Sequence, residues 1–144
     1  MSKIQLNFLD HVAIRVKDLE ASAAWYENLF GLTRYQVPEW GDFPILLFTG
    51  KTGIALFPAR TEDPVLDPDS RNIKIDHFAF NVSKESFEAA KKAYESEGIE
   101  YHFMDHHTFH SLYIRDPDGH ILELTTLVVP EVDFYGSGVA SHGK

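Results

Sequence analysis

Two stretches of this chain repeat each other. Leu9-Asp10-His11-Val12-Ala13-Ile14-Arg15-Val16 aligns with Ile75-Asp76-His77-Phe78-Ala79-Phe80-Asn81-Val82 at a constant offset of 66, with Asp, His, Ala and Val coinciding. The alternation of side chains in the first predicts a strand, with Val12, Ile14 and Val16 on one face and His11, Ala13 and Arg15 on the other. The same succession follows each stretch. Asp18 is placed to cap a helix carrying Leu19, Ala23, Tyr26 and Phe30, which Gly31 ends. Ser83 is placed to cap a helix carrying Phe87, Ala90, Ala93 and Tyr94, which Gly98 ends. A short strand and a hairpin complete each half. A repeat this long is not a solenoid unit. The sequence predicts an α+β fold of two β-α-β-β-β modules sharing one core.

The modules are expected at residues 6–59 and 73–129. Between them, residues 60–72 form a polar linker with Glu62, Asp63, Pro64, Asp67, Pro68 and Asp69. Residues 130–144 form a partly flexible tail, in which Phe134 and Tyr135 are free to cover a site mouth or a partner, and His142 is outside the chemistry. With 44% apolar residues the chain can bury a sizeable core. No apolar run reaches the roughly 18 residues of a membrane span. The first residues lack the apolar core of a secretory signal, so a cytoplasmic protein is expected. The absence of cysteine excludes disulfides and thiolate metal sites. A net charge of −9 argues against a nucleic-acid surface.

The last hairpin poses the chemical question. Leu112-Tyr113-Ile114 and Ile121-Leu122-Glu123-Leu124 read as strands around Arg115-Asp116-Pro117-Asp118-Gly119, whose charged side chains are expected to fix the turn. Glu123 sits among apolar neighbours, and a buried carboxylate is costly unless it is paired or bound to a metal. The repeat offers partners. His11 and His77 hold equivalent places, so pseudo-twofold packing of the modules points both imidazoles at a common centre, with Glu123 as a third ligand. Two His and one carboxylate suit a divalent first-row metal and leave coordination positions open. Either His taken alone is more often a hydrogen-bonded structural residue.

These residues carry a resemblance. Leu9 to Ile14, Trp25-Tyr26-Glu27-Asn28-Leu29-Phe30-Gly31-Leu32, Ile75 to Phe80 and Ser111 to Leu124 are similar to the motifs of the vicinal oxygen chelate superfamily. That superfamily includes glyoxalase I, extradiol dioxygenases and fosfomycin-resistance proteins. The resemblance covers about residues 6–128. It implies curled mixed sheets around a metal-centred cleft and a homodimer, with the metal on His11, His77 and Glu123. Glyoxalase I has a fourth ligand, a Glu on the last strand of the first module. Here that strand, Ile54-Ala55-Leu56-Phe57, has no acid, so the three-ligand extradiol and fosfomycin enzymes are the nearer pattern.

The resemblance further implies that Tyr113 hydrogen-bonds a substrate oxygen or helps move its proton; the alternative is a strand aromatic with its hydroxyl satisfied nearby. Extradiol enzymes place a further His about 15 residues before the second metal His. Residues 60–64 contain none, so a histidine of the loop Met104 to His110 is the expected substitute, His110 being the candidate. Fosfomycin transferases carry Thr two residues after the first metal His, where this chain has Ala13.

The expectation is one divalent ion, Fe2+ or Mn2+ before Zn2+, Ni2+ or Co2+. The substrate is a small molecule chelating through two adjacent oxygens, and extradiol-type dioxygenation is placed first. A lyase, isomerase or fosfomycin-type enzyme is the first alternative. A bleomycin-resistance-like binding protein without catalysis is the second.

Overall fold

The computed structural model describes residues 4–135. Gly136 to Lys144, which include His142 and most of the expected tail, lie outside the described residues. The chain forms two compact units, the division falling between Asp67 and Pro68.

The first unit runs β1 (His11–Val16), α1 (Leu19–Phe30), β2 (Thr33–Tyr35), a 3-10 turn (Pro38–Trp40), β3 (Ile45–Thr49) and β4 (Thr52–Pro58). Its four strands lie in the order β1-β4-β3-β2. β1 is parallel to β4 and the other pairings are antiparallel. The Asp18 carboxylate accepts from Ala21 N at 3.0 Å and caps α1, and Gly31 at φ 65° lets the chain leave it. Register puts Val16, Ile54, Leu56, Ile45 and Leu47 on one face, all buried. Arg34 shares that face and bridges to Glu20 at 2.8 Å and Glu27 at 2.7 Å on α1, which identifies it as the helix-covered side. Each fully buried apolar side chain contributes about 1.5–3 kcal/mol there.

The second unit repeats the plan with β5 (Phe78–Asn81), α2 (Lys84–Ser96), β6 (His102–Asp105), β7 (Phe109–Arg115) and β8 (Ile121–Leu127), in the order β5-β8-β7-β6. Ser83 Oγ accepts from Ser86 N at 3.1 Å to start α2. Gly98 at φ 68° and the bond from Ile99 N to Tyr94 O close it. At the β7–β8 turn Asp116 Oδ1 accepts from Asp118 N and His120 N, and Arg115 donates to Gly119 O and Asp69, so these charges organise the turn.

Two local expectations change. The strand expected from Ile75 begins only at Phe78. β5 pairs with β8 from Phe78↔Leu122, and β8 starts at Ile121, just after the turn. Extended backward, that register sets Ile75 and Asp76 beside Gly119 and His120 of the turn, so those two residues have no strand beside them. The histidine-rich loop expected at 104–110 also shrinks. Met104↔Ser111 and Asp105↔His110 are paired, which leaves only residues 106–108 as the turn and puts His110 on a strand.

No described helix is long and apolar enough to cross a membrane.

Candidate metal centre

The period of two along a strand decides which side chains meet in the second unit. Tyr113 stands directly opposite Glu123 across β7 and β8, and Ala79 flanks Glu123 from β5. Ser111, two residues before Tyr113, lies on the same face. Leu112, Ile114, Leu122 and Leu124 lie on the other, buried one. The sheet thus aims a carboxylate, a serine and a tyrosine away from its apolar side.

Glu123 is 4% exposed, and both of its oxygens are engaged. Oε1 lies 3.0 Å from His77 Nε2. Oε2 accepts a hydrogen bond from Ser111 Oγ. On its far side His77 Nδ1 is 2.8 Å from Asp76 Oδ2, and this bond lowers the Asp76 carboxyl below its ordinary range. The Tyr113 ring meets the His77 ring edge-on at 5.8 Å. Burial, then the Glu123 charge, raises the Tyr113 hydroxyl above its usual 10, which keeps it protonated.

This pair fits a metal on its own chemistry. The two His77 nitrogens each lie beside a carboxylate, Nδ1 at 2.8 Å from Asp76 and Nε2 at 3.0 Å from Glu123, and with the Nδ1 proton given to Asp76 the Nε2 lone pair would face the Glu123 oxygen. Two acceptors at that distance repel unless a proton or a cation lies between them. A divalent ion with nitrogen and oxygen ligands satisfies both.

In the first unit His11 Nδ1 is likewise 2.8 Å from Asp10 Oδ1. The carboxylate, however, has no counterpart. Ala13 faces Ala55 in the register where Ala79 faces Glu123, and Leu46 pairs with Ala55 where Tyr113 pairs with Glu123. Among the described residues no three His, Cys, Asp or Glu side chains stand together in metal-holding geometry. Of the expected ligands, then, His77 and Glu123 come together, and His11 belongs to the first unit.

His110 lies with the helix-side residues. It contacts Phe87 of α2 and Phe103 at ring-centroid distances of 6.5 and 5.1 Å, and its Nε2 is 3.5 Å from Asp105. Parity puts it on the face opposite Ser111, Tyr113 and Glu123. The histidine at the tyrosine is His106, whose Nε2 lies 3.0 Å from the Tyr113 hydroxyl. Sequence reasoning also left Ser111, Asp10 and Asp76 without roles. The two Asp residues carried a signal, since each directly precedes its His in both repeats.

Residues 8–124 match the family model described as the glyoxalase/bleomycin resistance protein/dioxygenase superfamily. A curated relative, the glutathione transferase FosA of Serratia marcescens, is 31% identical over 121 residues, covering 83% of this chain and 80% of its own. A glyoxalase/dioxygenase from Nostoc punctiforme superposes with a TM-score of 0.74 at 21% identity, covering 90% of this chain and 99% of that one. An integron cassette protein from the mobile metagenome of the Halifax Harbour sewage outfall gives 0.66 at 31% identity, covering 85% and 100%.

Proposed function

From the premise that this chain belongs to the glyoxalase/bleomycin resistance protein/dioxygenase superfamily, we propose that it is a metal-dependent enzyme acting on a small molecule with two adjacent oxygens. His77 and Glu123 are two ligands of one divalent ion, Mn2+ or Fe2+ before Zn2+, Ni2+ or Co2+, and His11 is the third. The observation that carries this reading is the approach of His77 Nε2 to Glu123 Oε1, with the other imidazole nitrogen held by Asp76. When bound, the ion supplies Lewis acidity to the two chelating oxygens. The chain does the rest. Asp76 and Asp10 orient their imidazoles, Ser111 fixes the Glu123 carboxylate, and Tyr113 offers its hydroxyl to a substrate oxygen. His110, on the other face of the sheet, takes no part.

Extradiol-type dioxygenation, placed first by the sequence, is one chemistry open to such a centre. The likeness to a glutathione transferase favours a second, in which a nucleophile adds to an activated substrate without change of metal oxidation state. The reading also includes a homodimer. Large apolar residues with exposures of 97% at Val65 and 101% at Ile73 support it.

Metal uptake tests the centre, and oxygen uptake separates the chemistries. Stoichiometric Mn2+ binding, lost in His77→Ala, is the expected result. Unchanged uptake in His77→Ala refutes the reading. Oxygen consumption with catechol after anaerobic Fe(II) loading selects dioxygenation, and its absence selects addition or isomerisation.

A further inference from the structure

The first unit carries an aromatic surface on the side of its sheet away from α1. Register places Tyr35 of β2, Phe57 of β4 and Arg15 of β1 on that side together with His11. Ala13, Leu46 and Ala55 lie between them, so the floor is apolar and low. The Arg15 guanidinium lies over the Phe57 ring, 5.4 Å from its centroid, and donates to Pro58 O at 3.0 Å. The loop between β2 and β3 adds two more rings. Tyr35 and Trp40 meet edge-on, with centroids 6.0 Å apart and planes at 70°. Phe43 and Phe57 meet in the same way, at 6.0 Å and 65°.

The loop is built to hold these rings in place. Trp40 ends the 3-10 turn, and the N–H groups of Trp40 and Gly41 donate to Val37 O and Pro38 O. Gly41 takes a φ of 77°, which its missing Cβ permits, and Gln36 Nε2 donates to Asp42 O across the loop at 3.4 Å. The rings nonetheless stay in water, with exposures of 57% at Tyr35, 41% at Trp40 and 43% at Phe43. An edge-on contact uses the edge of one ring and one face of the other. Every ring of the two pairs therefore keeps at least one face that its partner leaves open.

The size of the patch says what fits it. At roughly 150–250 Å² per aromatic side chain, these exposures leave roughly 300 Å² of aromatic surface in water. A stable protein interface takes about 800 Å² from each partner. The patch suits one or two rings of a small molecule instead. Mutually perpendicular rings suit an aromatic guest in particular, which can lie offset on one ring while presenting its edge to the next.

We propose that this side of the first unit is a binding site for an uncharged aromatic group, formed by Tyr35, Trp40, Phe43 and Phe57. His11 shares the same side, so the group bound there is the non-chelating part of the substrate. The substrate is then an aryl-bearing compound rather than one with a short alkyl substituent. That second half rests on the metal reading above; the aromatic site does not.

Two measurements on the full chain test this. The chain has two tryptophans, and each gives one indole N–H signal in a proton–nitrogen spectrum. Trp25, within α1 against Tyr26 and Phe30, is the internal control. The metal-free protein is titrated with benzyl alcohol and with cyclohexylmethanol. Saturable movement of the Trp40 signal alone is expected, with an affinity on the order of tenfold weaker for the saturated alcohol. A Trp40 signal that ignores benzyl alcohol, or answers both alcohols alike, overturns the proposal. So does one that moves only on dilution of the ligand-free protein, which marks a surface covered by a second copy. No variant has to fold for that result. The second measurement compares phenylglyoxylate with pyruvate, which share one chelating head, by calorimetry on the Mn2+-loaded protein. Phenylglyoxylate is expected to bind on the order of tenfold more tightly, and Trp40→Leu to remove most of that preference. Phe43→Leu is the second variant if the first fails to fold. Equal affinities in the wild type, or an unchanged preference in the variant, overturn the substrate assignment. Failure of Mn2+ uptake by the wild type sinks the metal reading instead and leaves the spectroscopic outcome standing.

Discussion

Ser111 is fully buried, and its hydroxyl satisfies one oxygen of a carboxylate that is itself buried. Removing such a donor leaves a buried acceptor unpaired, which costs more than the bond contributes. Ser111→Ala is therefore expected to destabilise the metal-free protein by about 1–3 kcal/mol, read as a shift of the urea midpoint. Tyr94 offers a second test at this scale. It is 1% exposed, and burial pushes its hydroxyl far above the ordinary value of 10. The unfolded chain releases that proton near pH 10 and the folded chain does not. The folded state then binds more protons, so stability is complete below about pH 10 and falls as pH rises beyond it. Tyr94→Phe is expected to reduce that alkaline fall, measured by urea unfolding on either side of pH ~10. Sequence alone identified Glu123, because a charge in an apolar strand is visible without coordinates. It could not choose His106 over His110. That choice depends on where β6 pairs with β7, and a strand's register moves every side chain from one face to the other.

Between strands, the close approach at Gly53 is the most demanding. A Cβ built there would lie 2.1 Å from the Leu47 carbonyl oxygen and 2.7 Å from Phe48 Cδ1, so no side chain fits while β3 and β4 keep their present separation. Gly53 is also the register partner of His11. Gly53→Ala is expected to cost about 1–3 kcal/mol of stability, and because β1 is paired to β4 it is also expected to weaken Mn2+ binding if His11 is a ligand. Denaturation and metal titration of the one variant measure both effects. Much at this scale was legible. Asp18, Gly31, Ser83 and Gly98 act at the helix ends as their residue types dictate. The late start of β5 was not legible, because the sequence from Ile75 is strand-like and only the position of the β7–β8 turn denies Ile75 and Asp76 a partner. The absence of an acid in Ile54 to Phe57 was legible, and the register sharpens it to Ala55 at the place where the second unit carries Glu123.

For the whole molecule, the repeat was legible because two strands, two caps and two helical stops recur in the same order. What the repeat leaves unexplained is the apolar surface outside it. Ile4, Leu6 and Phe8 are exposed by 87%, 83% and 53%, and Ile73 and Ile75 by 101% and 70%. In both stretches the apolar residues alternate with polar ones, as in a strand that buries one face, yet neither stretch is within a strand of its own unit. Val65 and Leu66 add two more exposed side chains, at 97% and 82%. Burial of any one of these is worth about 1.5–3 kcal/mol, so in the proposed homodimer their burial would stabilise the association. A two-fold dimer presents the same patch from both sides, which suits a surface that is apolar rather than charged. Sedimentation equilibrium is expected to give twice the chain mass of 16.4 kDa. Paired Ile73→Ser and Ile75→Ser substitutions remove apolar area that the single unit does not bury, so they are expected to shift the protein toward monomer while leaving the near-UV spectrum of each unit intact. A wild-type protein that sediments as a monomer at micromolar concentration rules the dimer out.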